Sequence, residues 1–177
     1  GTQAGTNDEH FTVVSTGDSW GDLPVSSNRL ERISTGGTEA ISRTLSADLD
    51  ATNLWFSVLW RPRSNEGFAI GSGALQKNGG PPDTIAGGAG FGFINTDNTT
   101  AYASIFHSSG RTNSASGLAI SQDTPILLAG KIEFNVGASG EDRITLYPVA
   151  TNLTLGTPVT VEVDVDESLL TTLTIES

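Results

Sequence analysis

The segment Glu162-Val163-Asp164-Val165-Asp166-Glu167 places four carboxylates within six residues. Side chains of a strand alternate between faces, so Glu162, Asp164 and Asp166 share one face, and a bulge would bring Glu167 round to it. Two carboxyl groups about 5 Å apart can cleave a glycosidic bond with retention, one as nucleophile and one as acid/base, with Asp164 between them holding their charges apart. The same pattern also describes an acidic, solvent-facing strand with Val161, Val163 and Val165 packed inward. The second description is preferred, because little chain follows the hexapeptide to complete a sugar cleft and no Trp lies after it.

Hard cations bind several oxygens from Asp, Asn and backbone carbonyls, and Asn95, Asp97 and Asn98 stand together in the polar run Asn95-Thr96-Asp97-Asn98-Thr99-Thr100. With Asp83 or Asp142 from another loop they form the candidate calcium ligands, although Asn and Asp in turns also bond their own backbone. Sugars bind to an aromatic face flanked by amides and carboxylates. Trp20, in the polar turn-rich stretch Gly17-Asp18-Ser19-Trp20-Gly21-Asp22, and Tyr102 are the candidate ligand contacts. Trp55 and Trp60 lie in a run apolar on both alternating faces and are assigned to the core. His10 and His107 sit in separate strand patterns with no Ser and Asp arranged beside them, so both read as strand residues. Gly87-Gly88-Ala89-Gly90 lacks the following helix and Lys of a phosphate loop and reads as a turn leading into a strand that another backbone approaches closely. Asn98-Thr99-Thr100 and Asn152-Leu153-Thr154 fit the N-glycosylation pattern.

Strands must carry all of these groups. Apolar alternation recurs over residues 11–15, 29–34, 39–45, 54–61, 68–76, 90–95, 101–107, 117–121, 126–136, 143–149, 159–164 and 170–176, separated by Gly, Pro, Asn, Asp and Ser clusters. One short helical turn is expected over Asp166 to Leu170. Leu54-Trp55-Phe56-Ser57-Val58-Leu59-Trp60 predicts a mid-sheet strand covered on both sides. Lys131-Ile132-Glu133-Phe134-Asn135-Val136 sends Ile132, Phe134 and Val136 inward and its polar groups outward. After the turn Gly137-Ala138-Ser139-Gly140, Arg143-Ile144-Thr145-Leu146-Tyr147 completes a hairpin with it. Dry inner and wet outer faces on many antiparallel strands predict an all-β, two-sheet antiparallel sandwich in one domain, residues 1–177.

Composition narrows the partners. Twenty acidic against nine basic residues give a net charge of −11, which repels phosphate backbones and anionic lipid surfaces. No apolar run approaches the roughly 20 residues of a spanning helix. The absence of Cys excludes disulfides, thiolate nucleophiles and Cys-ligated zinc, and the absence of Met at position 1 leads us to expect a piece of a longer, secreted polypeptide.

The stretches Leu54-Trp55-Phe56-Ser57-Val58-Leu59-Trp60, Gly67-Phe68-Ala69-Ile70-Gly71 and Gly90-Phe91-Gly92-Phe93-Ile94 resemble the laminin-G-like, concanavalin-A-like jelly-roll domains of large secreted bacterial proteins. So do Ile126-Leu127-Leu128-Ala129-Gly130-Lys131-Ile132-Glu133-Phe134 and Asp142-Arg143-Ile144-Thr145-Leu146-Tyr147-Pro148. The resemblance implies a jelly roll, strengthens the expectation of calcium at a loop rim, and carries no catalytic signature. It also implies a closing strand beyond Glu176, so the C-terminal strand is expected at an open edge, filled by following sequence or by strand addition from another copy. The Glu162 to Glu167 segment separately resembles the catalytic strand of retaining glycosidases of the laminarinase family. The expected function is a non-catalytic carbohydrate-binding or adhesive module, extracellular or on the cell surface. A structural spacer is the first alternative and a retaining glycoside hydrolase the second.

Overall fold

The computed structural model describes residues 2–4, 11–14, 20–21, 23, 29–32, 40–45, 53–76, 80–137, 139–165 and 170–176. His10, Asp166, Glu167 and the expected turn before Leu170 lie outside them. The strands are β1 (Thr2–Ala4), β2 (Phe11–Val14), β3 (Arg29–Arg32), β4 (Ala40–Thr44), β5 (Asn53–Trp60), β6 (Gly67–Gly71), β7 (Leu75–Gln76) and β8 (Thr84–Ile85), then β9 (Ala89–Asn95), β10 (Thr100–His107), β11 (Gly110–Asn113), β12 (Leu118–Ala119), β13 (Ile126–Glu133), β14 (Asp142–Val149), β15 (Val159–Val163) and β16 (Thr172–Glu176). Among the described residues there is no helix, and so none long and apolar enough to cross a membrane.

All pairings are antiparallel and build two main sheets. The larger runs β1-β4-β16-β6-β9-β10-β11, with β12 also on β10; the smaller runs β15-β14-β13-β5. β2 with β3 and β7 with β8 form separate two-stranded ladders. The sheets meet face to face through Phe68, Ile70, Phe91, Phe93 and Ile105 of the larger and Leu128, Ile132, Ile144, Leu146 and Val161 of the smaller, the arrangement of a β-sandwich. Those that share a strand stand two or four residues apart, as the pleat requires. Ring pairs tie the layers: Phe56 to Phe68 at 5.1 Å, Trp60 to Phe93 at 5.0 Å, and Phe134 edge-on to Phe91 at 5.5 Å. Gly130 faces the Phe56 ring directly across the β13/β5 ladder, and any Cβ there would collide with it.

The larger sheet is dry on its outer face as well at β6, β9 and β10. Ala69, Ile94 and Phe106 point away from the other sheet and are buried under the β7/β8 hairpin, which contributes Leu75 and Ile85. Gly71 and Gly90 are small because the Ile85 side chain rests on both, which corrects the expectation at the Gly87 to Gly90 run: Gly90 makes room for a side chain and not for another backbone. Arg111 Nη1 donates to the Pro82 carbonyl and fastens the hairpin to β11.

Four expectations about strand placement are corrected by this arrangement. The strand apolar on both faces was placed mid-sheet at Leu54 to Trp60, but β5 pairs only with β13 among the described residues, and it buries only one face. Trp55 is therefore not core: it is 53% exposed on the outer face, where Asn53 and Ser57 are its same-side neighbours. The doubly covered strands are β6, β9 and β10 instead. Val136 also leaves the core, 39% exposed, because β13 ends at Glu133 and Asn135 turns at a φ of 55° before the chain reverses. Finally, the last strand is not an edge. β16 pairs with β4 on one side and β6 on the other, so its backbone donors and acceptors face neighbours on both sides and no strand can be added there.

The two tryptophans of β5 thus belong to different layers. Trp60 is half-buried, packs on Phe93 and donates Nε1 to Glu66 Oε2 at 2.8 Å. Trp60→Ala is expected to cost about 3 kcal/mol, and Trp55→Ala at most about 1 kcal/mol. Urea denaturation of the two variants measures this; equal losses would contradict the layering.

Candidate functional site

The outer face of the smaller sheet is the one large sheet surface among the described residues on which aromatic, cationic and anionic side chains meet in the open. The ladders of β5, β13, β14 and β15 set its rows. Asn53, Glu133, Arg143 and Glu162 lie across one row, Trp55, Lys131, Thr145 and Thr160 across the next, and Ser57, Ala129 and Tyr147 across the third. Beyond them Leu59, Leu127 and Val149 form an apolar row, where the loop after β14 folds back through a bridge from Leu155 to Val149.

Trp55 and Tyr147 stand on strands separated by β13. They meet above it, because Ala129, directly opposite Tyr147, is too small to keep the rings apart. The ring centroids are 6.0 Å apart with 23° between the planes, and Lys131 Nζ lies 5.9 Å from the Trp55 centroid. An ammonium at that distance is attracted to the ring's negative face. The charged row beside them is internally paired: Lys131 to Glu133 at 2.5 Å, Arg143 to Glu133 at 3.7 Å, and Arg143 to Glu162 at 2.5 Å. Partly exposed pairs of this kind add little stability singly, but together they hold long side chains in fixed positions around the rings. The result is a stacked aromatic pair, with the Trp55 ring half in the open, bordered by paired charged side chains.

The candidates read from the sequence lie elsewhere. Trp20 is half-buried and donates Nε1 to the Ala150 carbonyl at 3.3 Å, at the loop after β14. Tyr102 is half-buried on the outer face of the other sheet, against the cluster under the β7/β8 hairpin. The structure does not bring these two together. Asn95, Asp97 and Asn98 do lie in one loop, but Asn95 is wholly buried and fully engaged. Its Oδ1 accepts from Glu66 N at 2.8 Å, and its Nδ2 donates to the Arg63 carbonyl and to the Asp97 carbonyl at 2.8 Å. It rivets the strand following Glu66 to the loop before β10. Asp97 Oδ1 accepts from Thr99 N, Thr99 Oγ1 and Thr100 N at 2.7, 2.9 and 2.8 Å, closing the turn. Asn98 is half-buried in the same turn. Asp142 is buried and its Oδ1 accepts from Asn135 N at 3.0 Å, while Asp83 lies close enough to Arg111 to oppose the effect of burial on the guanidinium. Among the described residues no group of three or more His, Asp or Glu could hold a metal ion.

The acidic segment follows its blander description as far as it is described. Val159 and Val161 are buried, Val163 and Val165 pack against the core, and Glu162 faces outward to Arg143. Asp164 lines an open groove of about 410 Å³ with Gly88, His107 and Ser108, and His107 Nδ1 lies 3.1 Å from Ser109 Oγ. No second carboxylate lines that groove among the described residues.

The aromatic face was missed because the apolar run of β5 masked its alternation. A signal was present: Asn53 and Ser57 flank Trp55 at period two, and Lys131 and Glu133 mark the wet face of the strand that pairs with it. Comparisons with protein-family models, curated proteins and solved structures find no match to the chain.

The hydrogen bonds of the 95–100 loop make a pH prediction. Donation from the Thr99 backbone, then from its hydroxyl and the Thr100 backbone, holds the Asp97 carboxyl below its usual pKa. A depressed carboxyl stabilises the fold above its unfolded pKa of about 3.9 and loses that contribution as pH falls through the lower folded value. The melting-temperature gap between the wild type and Asp97→Ala is expected to be constant from neutral pH down to about 5 and to narrow below about 4. A gap that widens on acidification would show that Asp97 is held by something other than these donors.

Proposed function

We propose that this chain is a non-catalytic carbohydrate-binding module with a jelly-roll, concanavalin-A-like fold, carried by a secreted or cell-surface protein, and that it binds glycan on the outer face of its smaller sheet. The observation that carries the reading is the exposed Trp55 ring stacked beside Tyr147 among fixed charged groups. Aromatic faces desolvate the C–H face of a sugar, and neighbouring donors and acceptors satisfy its hydroxyls at the rim. Trp55 stacks on Tyr147 and lies near Lys131, and about half of its surface stays open to a ligand on a face that also carries Asn53 and Ser57. Glu162, the first carboxylate of the acidic segment, serves in this reading as the partner that fixes Arg143.

Electrophoresis in native gels containing mixed-linkage β-glucan, xylan or galactomannan tests the proposal. At least one polysaccharide is expected to retard the wild type, equally with calcium or with a chelator, and to leave Trp55→Ala unretarded while its melting temperature stays within a few degrees of wild type. Unchanged mobility of the wild type in all of these gels would favour the spacer reading. Release of reducing sugar that is lost in Glu162→Gln would favour the hydrolase.

A further inference from the structure

Resting on the secreted placement proposed above and not on glycan binding, we infer that Asn152 is an acceptor for N-linked glycosylation in the folded chain and that Asn98 is not. Asn98-Thr99-Thr100 and Asn152-Leu153-Thr154 carry the same Asn-X-Thr pattern, so the sequence does not separate them. The co-reactant is an oligosaccharide carried on a lipid pyrophosphate. A bond forms between the asparagine Nδ2 and the first carbon of the sugar, and the bond from that carbon to the pyrophosphate oxygen breaks. The lipid pyrophosphate leaves, and the transferase takes the Nδ2 proton.

The fold treats the two triplets differently. Asn152 lies in the turn after β14, where Leu153 N donates to the Ala150 carbonyl at 2.8 Å and Ala150 N to the Thr154 carbonyl at 2.9 Å. Leu153 takes a φ of 63°, and every residue from Thr151 to Pro158 is exposed. Asn152 Oδ1 accepts from Thr154 N at 3.2 Å and from Thr154 Oγ1 at 2.7 Å. Both contacts fall on the oxygen, and among the described residues Nδ2 has no hydrogen-bond partner. Donation to the oxygen makes the Nδ2 protons more acidic and leaves the nitrogen open, so the asparagine and the threonine already stand as one acceptor unit.

Asn98 has neither property. It is half-buried, and its Oδ1 is enclosed without a hydrogen-bond partner among the described residues. The donors that reach the asparagine in the other triplet go to a neighbour here. Asp97 Oδ1 accepts from Thr99 N, Thr99 Oγ1 and Thr100 N, and Thr100 Oγ1 lies 3.2 Å from Thr99 Oγ1. A sugar on Asn98 would have to open a loop that the buried Asn95 ties to Arg63 and Glu66. A glycan on Asn152 displaces nothing. It stands beside Leu153 and Leu155, each 51% exposed in an uncharged run, and its hydrated bulk keeps other molecules off them.

Incubation of the folded chain, and separately of its tryptic digest, with an oligosaccharyltransferase and a lipid-linked oligosaccharide tests this, with each site read by glycopeptide mass spectrometry. The digest is expected to accept sugar at both asparagines, and the folded chain at Asn152 at least about tenfold more than at Asn98. In the folded chain Thr154→Ala should abolish transfer to Asn152 and Thr154→Ser should retain it, while Asn152→Gln should leave the melting temperature unchanged. Equal or greater transfer to Asn98 in the folded chain, or no transfer to Asn152 in that form, overturns the inference. Neither result bears on the carbohydrate-binding reading, which is decided by the mobility of the wild type and Trp55→Ala in polysaccharide gels.

Discussion

The contact of Phe56 and Trp60 from the smaller sheet with Phe68 and Phe93 from the larger is the interaction on which the rest depends. The Phe56 to Phe68, Phe68 to Phe93 and Trp60 to Phe93 centroids are separated by 5.1, 5.4 and 5.0 Å, so four rings form one continuous cluster across the interface. Rings of this size each remove a large apolar area from water, and their tilted and offset geometries add attraction beyond the area itself. The cluster sets which side of β5 faces inward. Once Leu54, Phe56, Val58 and Trp60 are committed to the core, the pleat sends Asn53, Trp55 and Ser57 outward with no freedom left to choose.

The sheets then solve different problems. In the larger, apolar groups on the outward side of β6, β9 and β10 need a cover, and the β7/β8 hairpin supplies it with Leu75 and Ile85, held down by Arg111 on the Pro82 carbonyl. Glycines at 71 and 90 make room for it. Among the described residues the smaller sheet has no such cover over its aromatic and charged rows, and its polar alternation on β13, β14 and β15 is what allows it to stand in water. The function proposed for the chain sits on the face that the fold does not use for itself.

The buried Asn95 serves the frame. Asn95 joins Arg63, Glu66 and Asp97, and Glu66 in turn receives Trp60 Nε1, so one carboxamide and one carboxylate connect the end of β5 to the start of β10. A buried amide stripped of these partners would carry the full cost of desolvation, which is why every donor and acceptor of Asn95 points at a partner. Asn95 and Asp97 are candidate cation ligands in the sequence, and in the fold their side chains bond backbone groups of the same loop, since calcium and backbone amides compete for the same oxygens.

Local pattern was sufficient for part of this protein. Alternation and turn residues by themselves specify an all-β chain of antiparallel strands, the β13/β14 hairpin about Gly137 to Gly140, and the inward valines at 161, 163 and 165, because each depends only on period-two geometry and nearby residues. Net charge, too, is a property of composition alone. What a strand faces is not local. Trp55 and Trp60 have the same side chain in one apolar run, and only the register that sets Trp55 opposite Lys131 and Trp60 opposite Ile126 puts the first in water and the second on Phe93. The place of β16 between β4 and β6, the hairpin over the larger sheet, and the meeting of Trp55 with Tyr147 above Ala129 likewise join residues far apart in the chain. Tertiary structure alone decides these, since sheet order is chosen by the total area the two layers bury together and no single segment carries that sum.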